Sequence, residues 1–242
     1  MTDPGIVRKH NEDSFYASDK AGLWLVADGM GGLERGEWAS ALVVAAVSAV
    51  AQQGDVEGML AAVTGALEQA NEQILSESER VGKQMGSTAV ALCIRDNRFG
   101  IAWVGDSRAY LLRANRLYRL TRDHSQVQEL LDRGLIEESA AASHPLRNVL
   151  TRAVGVARPL QVDTVVDALQ DDDLLLLCSD GLYGVLGEAE MQETLRSMPF
   201  ERAAGVMLKR CLELGAPDNV TLVGVATSEV TLAHFGHHAP EI

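Results

Sequence analysis

The chain is short of basic residues: 21 lysines and arginines stand against 34 acidic side chains, for a formal net charge of −13. Nucleic acid, which binds basic faces, is therefore not an expected partner. Cysteine is scarce as well. Cys93, Cys178 and Cys211 are odd in number, scattered and set in apolar runs. That pattern points to buried thiols in a reducing compartment rather than a disulfide frame or a zinc site. Long apolar runs are missing. The longest, Ala39 to Ala51, is interrupted by serine and falls short of the roughly 20 residues that a bilayer span needs. Met1-Thr2-Asp3-Pro4-Gly5 shows no basic-then-apolar leader pattern, so no membrane and a cytoplasmic location are expected. There is no Walker-type glycine-rich lysine loop, which removes the case for a nucleotide kinase or ATPase. No long Pro/Gly/Ser linker or internal repeat divides the sequence. One domain over 1–228 with a tail at 229–242 is the simplest organisation.

What is present is a repeated pattern of apolar strands running into aspartate. Leu23-Trp24-Leu25-Val26-Ala27 leads into Asp28-Gly29, Ile101-Ala102-Trp103-Val104 into Gly105-Asp106, and Leu174 to Ser179 into Asp180-Gly181. A strand that ends in a carboxylate delivers that charge from the core to the rim of a sheet. With Glu12-Asp13 and Asp218-Asn219, these rims could converge on one acidic pocket. All-oxygen donors favour hard cations such as Mg²⁺, Mn²⁺ or Ca²⁺. Each site has a plainer reading, since Asp-Gly is a favoured turn dipeptide. Recurrence favours the pocket, because clustered carboxylates repel unless a metal or proton neutralises them. Arg8, four residues before Glu12, reads alone as a surface arginine. Beside such cations its fork suits two phosphate oxygens.

Helical spacing is expected over Glu37 to Gln53 and Val56 to Glu79, joined at Gly54-Asp55. Hairpins are expected at Asp96-Asn97, between Thr88–Ile94 and Arg98–Val104, and at Ala114-Asn115, between Tyr110–Arg113 and Leu117–Leu120. Gln126 to Arg133 reads as helix and Gly134 to Asn148 as irregular. Helices over Glu188 to Ser197 and Phe200 to Leu214 bracket Pro199, and Val220 to Ala226 is a last strand. Hairpins outnumber strand-helix-strand units, so an antiparallel sheet core with helices outside is expected.

Nine segments occur in one order: Arg8 with Asn11-Glu12-Asp13-Ser14, Ala27 to Gly32, Gly36-Glu37, Met85 to Thr88, Gly105 to Arg108, Leu120-Thr121 with Asp123-His124, Leu150-Thr151-Arg152, Ser179 to Leu182 and Asp218 to Thr221. Together they resemble the metal-dependent type 2C (PPM) protein phosphatases in their compact bacterial form, across residues 5–226. The resemblance implies an α+β fold, a four-layer α-β-β-α sandwich of two mainly antiparallel sheets flanked by helix pairs. It implies hydrolysis of phosphoserine and phosphothreonine monoesters by a metal-bridging water or hydroxide, with two Mn²⁺ or Mg²⁺ ions and a third site as in bacterial relatives. Asp28 would bridge the two ions and the Gly29 carbonyl would join one of them. Asp180 and Asp218 would complete the first metal, and Glu12 would reach the second through water. Arg8 would hold the substrate phosphate, Asp106 with Asp180 a third metal, and Asp13 would support the cluster. Partners implied are phosphorylated proteins, a cognate Ser/Thr kinase and its substrates, forkhead-associated proteins among them, with the enzyme a monomer.

Met30 stands where many eukaryotic relatives carry a histidine that is a candidate general acid, and a thioether has no proton to give. Metal-bound water is the first choice of acid, with His124 and His144 behind it. The segment 126–148 matches the variable flap beside the active site, where Arg133, Arg147 and the Ala140-Ala141-Ala142 run could shape substrate choice. Gly105-Asp106-Ser107-Arg108 looks like a hydrolase nucleophile elbow only superficially, because a strand follows it rather than a helix. His234, His237 and His238 read as part of a loose end. The non-catalytic alternative is a pseudophosphatase that binds phosphoproteins; retention of Glu12, Asp28, Asp180 and Asp218 together argues against it.

Overall fold

A computed structural model of the chain describes residues 1–31, 35–50, 54–141 and 143–227. The expected tail at 229–242, with Gly32 and Ala142, lies outside the described residues. One sheet has the order β2 (Asp13–Ser18), β3 (Leu23–Met30), β5 (Ala89–Arg95), β6 (Arg98–Val104) and β9 (Asp163–Ala168), with β4 (Gly86–Ser87) paired to β3. The other has the order β1 (Thr2–Asp3), β11 (Val220–Ala226), β10 (Leu174–Cys178), β7 (Arg108–Arg113) and β8 (Arg116–Arg119). The pairings within both sheets are antiparallel.

The period of two along a strand explains why these runs are apolar without interruption. Leu175 and Leu177 of β10 face the other sheet and pack with Trp24, Val26, Leu92, Phe99 and Ile101. Leu174, Leu176 and Cys178 face the opposite way, onto α5 (Asp180–Tyr183), α6 (Glu188–Ser197) and α7 (Phe200–Glu213). In β3 the alternation repeats: Trp24 and Val26 point between the sheets, whereas Leu23, Leu25 and Ala27 meet α1 (Arg35–Ser48) and α2 (Val56–Val81). Strands covered on both faces need no polar positions, and the result is the helix-sheet-sheet-helix stack.

Both hairpin turns form as the sequence indicates. Asp96 and Asn97 lie at φ 46° and 59°, and Ala114 and Asn115 at 48° and 63°, the left-handed pair that matches strand twist in two-residue hairpins. Helix α2 is capped by the Asp55 side chain, which accepts from the Gly58 N–H at 2.8 Å, and ends on left-handed Gly82. Helix α1 begins earlier and ends sooner than its Ala/Val-rich stretch suggests. The flap carries α3 (Gln126–Asp132), capped by Ser125, and a single turn α4 (Glu138–Ala141) inside the segment expected to be irregular.

Asp28 requires a correction. It does not end its strand but sits inside β3, which continues through Gly29 to Met30, so Asp28-Gly29 is no turn. Asp28 is paired across the ladder with Asp13 and Gly29 with Ser87. Two carboxylate-bearing residues in register need a reason beyond sheet formation, since like charges opposite one another destabilise a ladder.

Candidate active site

Strand register brings the acidic residues to one edge of the sandwich. Cys178 is opposite both Leu222 and Arg108, so the end of β10, the start of β11 and the start of β7 share that edge. Asp180, Asp218 and Asp106 lie just beyond those three positions. In the other sheet, β2 begins at Asp13, and its pairing with β3 runs out at the Asp13–Asp28 pair. Arg8, Glu12, Asp28, Gly29, Asp106, Asp180 and Asp218 all line one cavity of about 540 Å³. Asp13 lies beneath it, buried, with Oδ2 accepting from the Ser179 hydroxyl at 2.7 Å.

Close backbone packing holds these segments. The Gly29 N–H donates to the Glu12 carbonyl at 3.1 Å, and a Cβ on Gly29 would fall on the Gly36 carbonyl. Asp28 is fixed through its own peptide: its N–H donates to the Thr88 hydroxyl at 3.0 Å and its carbonyl accepts the Thr88 N–H at 2.8 Å. Asn219 ties the N-terminal loop to β11. Its Oδ1 accepts from the Glu12 N–H, while its Nδ2 donates to the Pro4 and His10 carbonyls. The entry to β11, with Asp218 beside Asn219, thus meets the segment carrying Arg8 and Glu12.

The electrostatics are unfavourable to a metal-free cluster of anions. Burial, then the charges of Asp13, Asp180, Asp106 and Asp218, pushes the Asp28 carboxyl well above the usual carboxylate range. Burial and Asp180 do the same to Asp106. Asp180 is pushed up to about 7 by burial, then by Asp218 and Asp13. Asp13 is raised to about 6 by burial, against the pull of the Thr221 and Ser179 hydroxyls. Among the described residues, Glu12 Oε1 and Asp13 Oδ1 are buried without a hydrogen-bond partner. Buried oxygens that lack donors, in an all-oxygen set, fit hard divalent cations. Among the described residues no three such side chains yet stand in ligating positions around one point. Asp218 is turned aside, its Oδ2 accepting from Arg8 Nη2 at 2.7 Å.

Met30 lines the cavity, and neither His124 nor His144 does. His144 Nδ1 accepts from the Leu146 N–H within the flap. Sequence reasoning passed over Arg152, a second cation in the cavity wall, which pairs with Asp163 at 2.9 Å. It also gave no role to Thr88 or Asn219, although all three stand in the motif segments.

The model of the family described as "Protein phosphatase 2C" matches residues 1–220. The serine/threonine phosphatase stp of Listeria innocua is 40% identical over 235 residues, covering 92% of this chain and 92% of that protein. Among solved structures, PppA of Pseudomonas aeruginosa superposes with a TM-score of 0.86 at 38% identity, covering 93% of this chain and 95% of that one. The catalytic domain of the serine/threonine protein phosphatase PstP, solved with two manganese ions, gives a TM-score of 0.84 at 34% identity, over 94% of this chain and 96% of that one. The chain belongs to the protein phosphatase 2C family.

Proposed function

We propose that Arg8, Asp28, Asp180 and Asp218 carry the hydrolysis of phosphoserine and phosphothreonine monoesters in this protein. The enzyme is a metal-dependent serine/threonine phosphoprotein phosphatase that uses two Mn²⁺ or Mg²⁺ ions. Glu12, Asp28, the Gly29 carbonyl, Asp180 and Asp218 are the proposed ligands of that pair, and Asp106 with Asp180 those of a third ion. When bound, the ions screen the phosphate and activate the attacking water. The observation that carries this reading is the convergence of these residues, Arg8 included, on one cavity.

The chain's own groups do the rest. Asp28, held by its peptide to Thr88, brings its carboxylate to the cavity in a fixed position. Asp13 accepts from Ser179, the residue before Asp180, and so anchors that segment from beneath. Only Nη2 of Arg8 donates to Asp218, so the fork has further N–H donors to offer a phosphate. Met30 presents an apolar thioether to the leaving oxygen, whose proton then comes from water in the cavity.

The substrates are phosphorylated proteins. A cognate Ser/Thr kinase as opponent, forkhead-associated proteins among the substrates, action as a monomer and a cytoplasmic location are further parts of the proposal. PppA, described as a key regulatory component of T6SS in P. aeruginosa, supports a regulatory role of this kind. Among the described residues no helix is long and apolar enough to cross a membrane. Residues 1–228 are proposed as the catalytic domain, with 126–148 as its flap. Relatives named as phosphatases favour the enzyme over a silent phosphoprotein-binding module.

The test is hydrolysis of p-nitrophenyl phosphate and of a phosphothreonine peptide, with Mn²⁺ and with chelator, by wild type and Asp180→Ala. Wild type with Mn²⁺ should be active, and the other three combinations should fall to background. If wild type with Mn²⁺ is no faster than Asp180→Ala, the reading fails.

A further inference from the structure

His124 is one of the buried polar residues that the proposed chemistry does not use, and its surroundings are specific. Its Nδ1 accepts a hydrogen bond from the Gly105 N–H at 3.1 Å. A backbone N–H can only donate, so Nδ1 is the bare nitrogen and the ring proton sits on Nε2. From there it reaches Asp163 Oδ2 at 3.2 Å. The ring is 5% exposed and stacks on Trp103, with centroids 6.1 Å apart and planes within 12°. Burial lowers the pKa of the ring, against the pull of Asp163, which keeps Nδ1 available as an acceptor.

The backbone of the same residue makes a second clasp. The His124 N–H donates to the Gly105 carbonyl at 2.9 Å, and the His124 carbonyl accepts the Thr151 N–H at 2.8 Å. Both ends of the flap are zipped here, through the Ser125–Leu150 bridge and the Gln126 N–H to the Val149 carbonyl. Gly105 has φ +103° and packs so closely on Thr88 that a Cβ would overlap it. Its peptide orientation is therefore imposed, and both of its polar groups are held by one residue. The next residue is Asp106, whose carbonyl is fixed from the far side by the Tyr183 hydroxyl at 2.9 Å.

We infer that His124 is a positioning residue for the third ion: its neutral ring and its backbone pin Gly105 between the flap base and the cavity, and so set where Asp106 presents its carboxylate. This rests on the reading of Asp106 as a ligand of that ion. Partners one step removed from a ligand are typically worth 10–100-fold in metal affinity. Asparagine at 124 can place an acceptor near the position of Nδ1, whereas glutamine reaches toward that of Nε2. Both lose the stacking on Trp103, so their difference isolates the acceptor to Gly105.

Mn²⁺ binding is counted by the loss of the free-ion electron paramagnetic resonance signal, on metal-stripped full-length wild type, His124→Asn, His124→Gln and Asp106→Asn. Wild type should bind two ions more tightly and one more weakly. Asp106→Asn should lose the weak ion. His124→Gln should weaken that ion by about 10–100-fold and leave the other two within about threefold, and His124→Asn should restore it. If Asp106→Asn keeps the weak ion, the third-site reading fails and the inference falls with it. If Asp106→Asn loses the ion but His124→Gln binds it as wild type does, the inference alone is overturned. Equal weakening of all three ions by His124→Gln, or no advantage of asparagine over glutamine, also overturns it. Should the glutamine variant not fold, loss of the weak ion from folded His124→Asn overturns it by itself.

Discussion

Arg8 sits half-exposed at the mouth of the cavity, its side chain 51% accessible and one nitrogen spent on Asp218. An arginine in that position has two possible duties, to hold the carboxylate in place or to hold the substrate, and they predict different losses. With phosphate as its target, Arg8→Ala removes charge-assisted hydrogen bonds worth about 1.5–3 kcal/mol each. KM for p-nitrophenyl phosphate should then rise roughly 10–100-fold, with Mn²⁺ affinity nearly unchanged. Steady-state kinetics and a Mn²⁺ titration read the two quantities separately; loss of Mn²⁺ affinity with KM intact would assign Arg8 to Asp218 instead. Gly181 gives a second test at the scale of a single residue. As part of Asp180-Gly181 it reads in sequence as half of a turn dipeptide, yet its φ is not positive and the need for glycine is steric. A Cβ there would fall on the main-chain carbonyl oxygen of Asn219, a residue whose side chain accepts from the Glu12 N–H through Oδ1 and donates to the Pro4 and His10 carbonyls through Nδ2. Gly181→Ala should cost about 1–3 kcal/mol of overpacking, lowering Tm by roughly 2–12 °C at 2–4 °C per kcal/mol. Calorimetry that finds a change under one degree contradicts this packing argument. Asp28, Asp106, Asp180 and Asp218 were legible because each one interrupts or borders an apolar run. Thr88 and Asn219 were not, since a hydroxyl or amide that fixes backbone leaves no mark in a hydropathy pattern.

Elements were legible where burial is two-sided and obscure where it is not. Strands β3, β5, β6, β7, β10 and β11 are long apolar runs with clear turn residues between several of them. Strands β2 and β9 are edges of their sheet, and Asp13–Ser18 and Asp163–Ala168 carry as many polar as apolar positions, with much of each accessible. No periodicity announces such a strand; only its partner does. The same contrast separates the flap from the rest. Its helices α3 and α4 bury one residue, Val127, among those described, so this element is attached by its ends rather than its packing. It lines part of a second cavity, of about 340 Å³, with Gln128 and Arg147 from the flap and Asp106, Asp180 and Arg119 from outside it. If 126–148 acts as the proposed flap, a protein substrate meets it, whereas p-nitrophenyl phosphate need not. Exchange of 126–148 for the flap of a relative should therefore change the ranking of a phosphopeptide panel by kcat/KM. Turnover of the small ester should stay within about threefold, under the ~1 kcal/mol that marks a real change in transition-state binding. An unchanged peptide ranking would remove the flap from substrate choice.

At the scale of the whole molecule, the acidic edge trades stability for function, and the trade has a definite sign in pH. Asp180 at about 7 and Asp13 at about 6 both lie above the ordinary carboxylate value, because burial and neighbouring anions disfavour their charged forms. Between about pH 4 and pH 7 the metal-free folded protein therefore binds more protons than the unfolded chain does. Stability consequently falls as pH rises through that window. Divalent ions held as proposed reverse the sign. They bind only the deprotonated carboxylates, so their affinity grows as those protons leave, and they replace the lost protons as the neutralising charge. At a free concentration of a hundred times Kd, a single ion that binds the folded state alone adds about 2.7 kcal/mol. That corresponds to a Tm increase of roughly 5–11 °C for a chain of this size. Thermal unfolding in EDTA and in Mn²⁺ should thus diverge with pH, with a small gap at pH 5 and a wide one at pH 8. In Asp180→Asn the chelated protein should lose part of its decline above pH 6, because that carboxyl no longer titrates, and the gap at pH 8 should shrink because a ligand is gone. A Mn²⁺-induced shift that is equal at pH 5 and pH 8, or larger at pH 5, would mean that the clustered carboxylates do not hold the ions. The convergence of strand ends would then be an electrostatic burden with no compensating ligand.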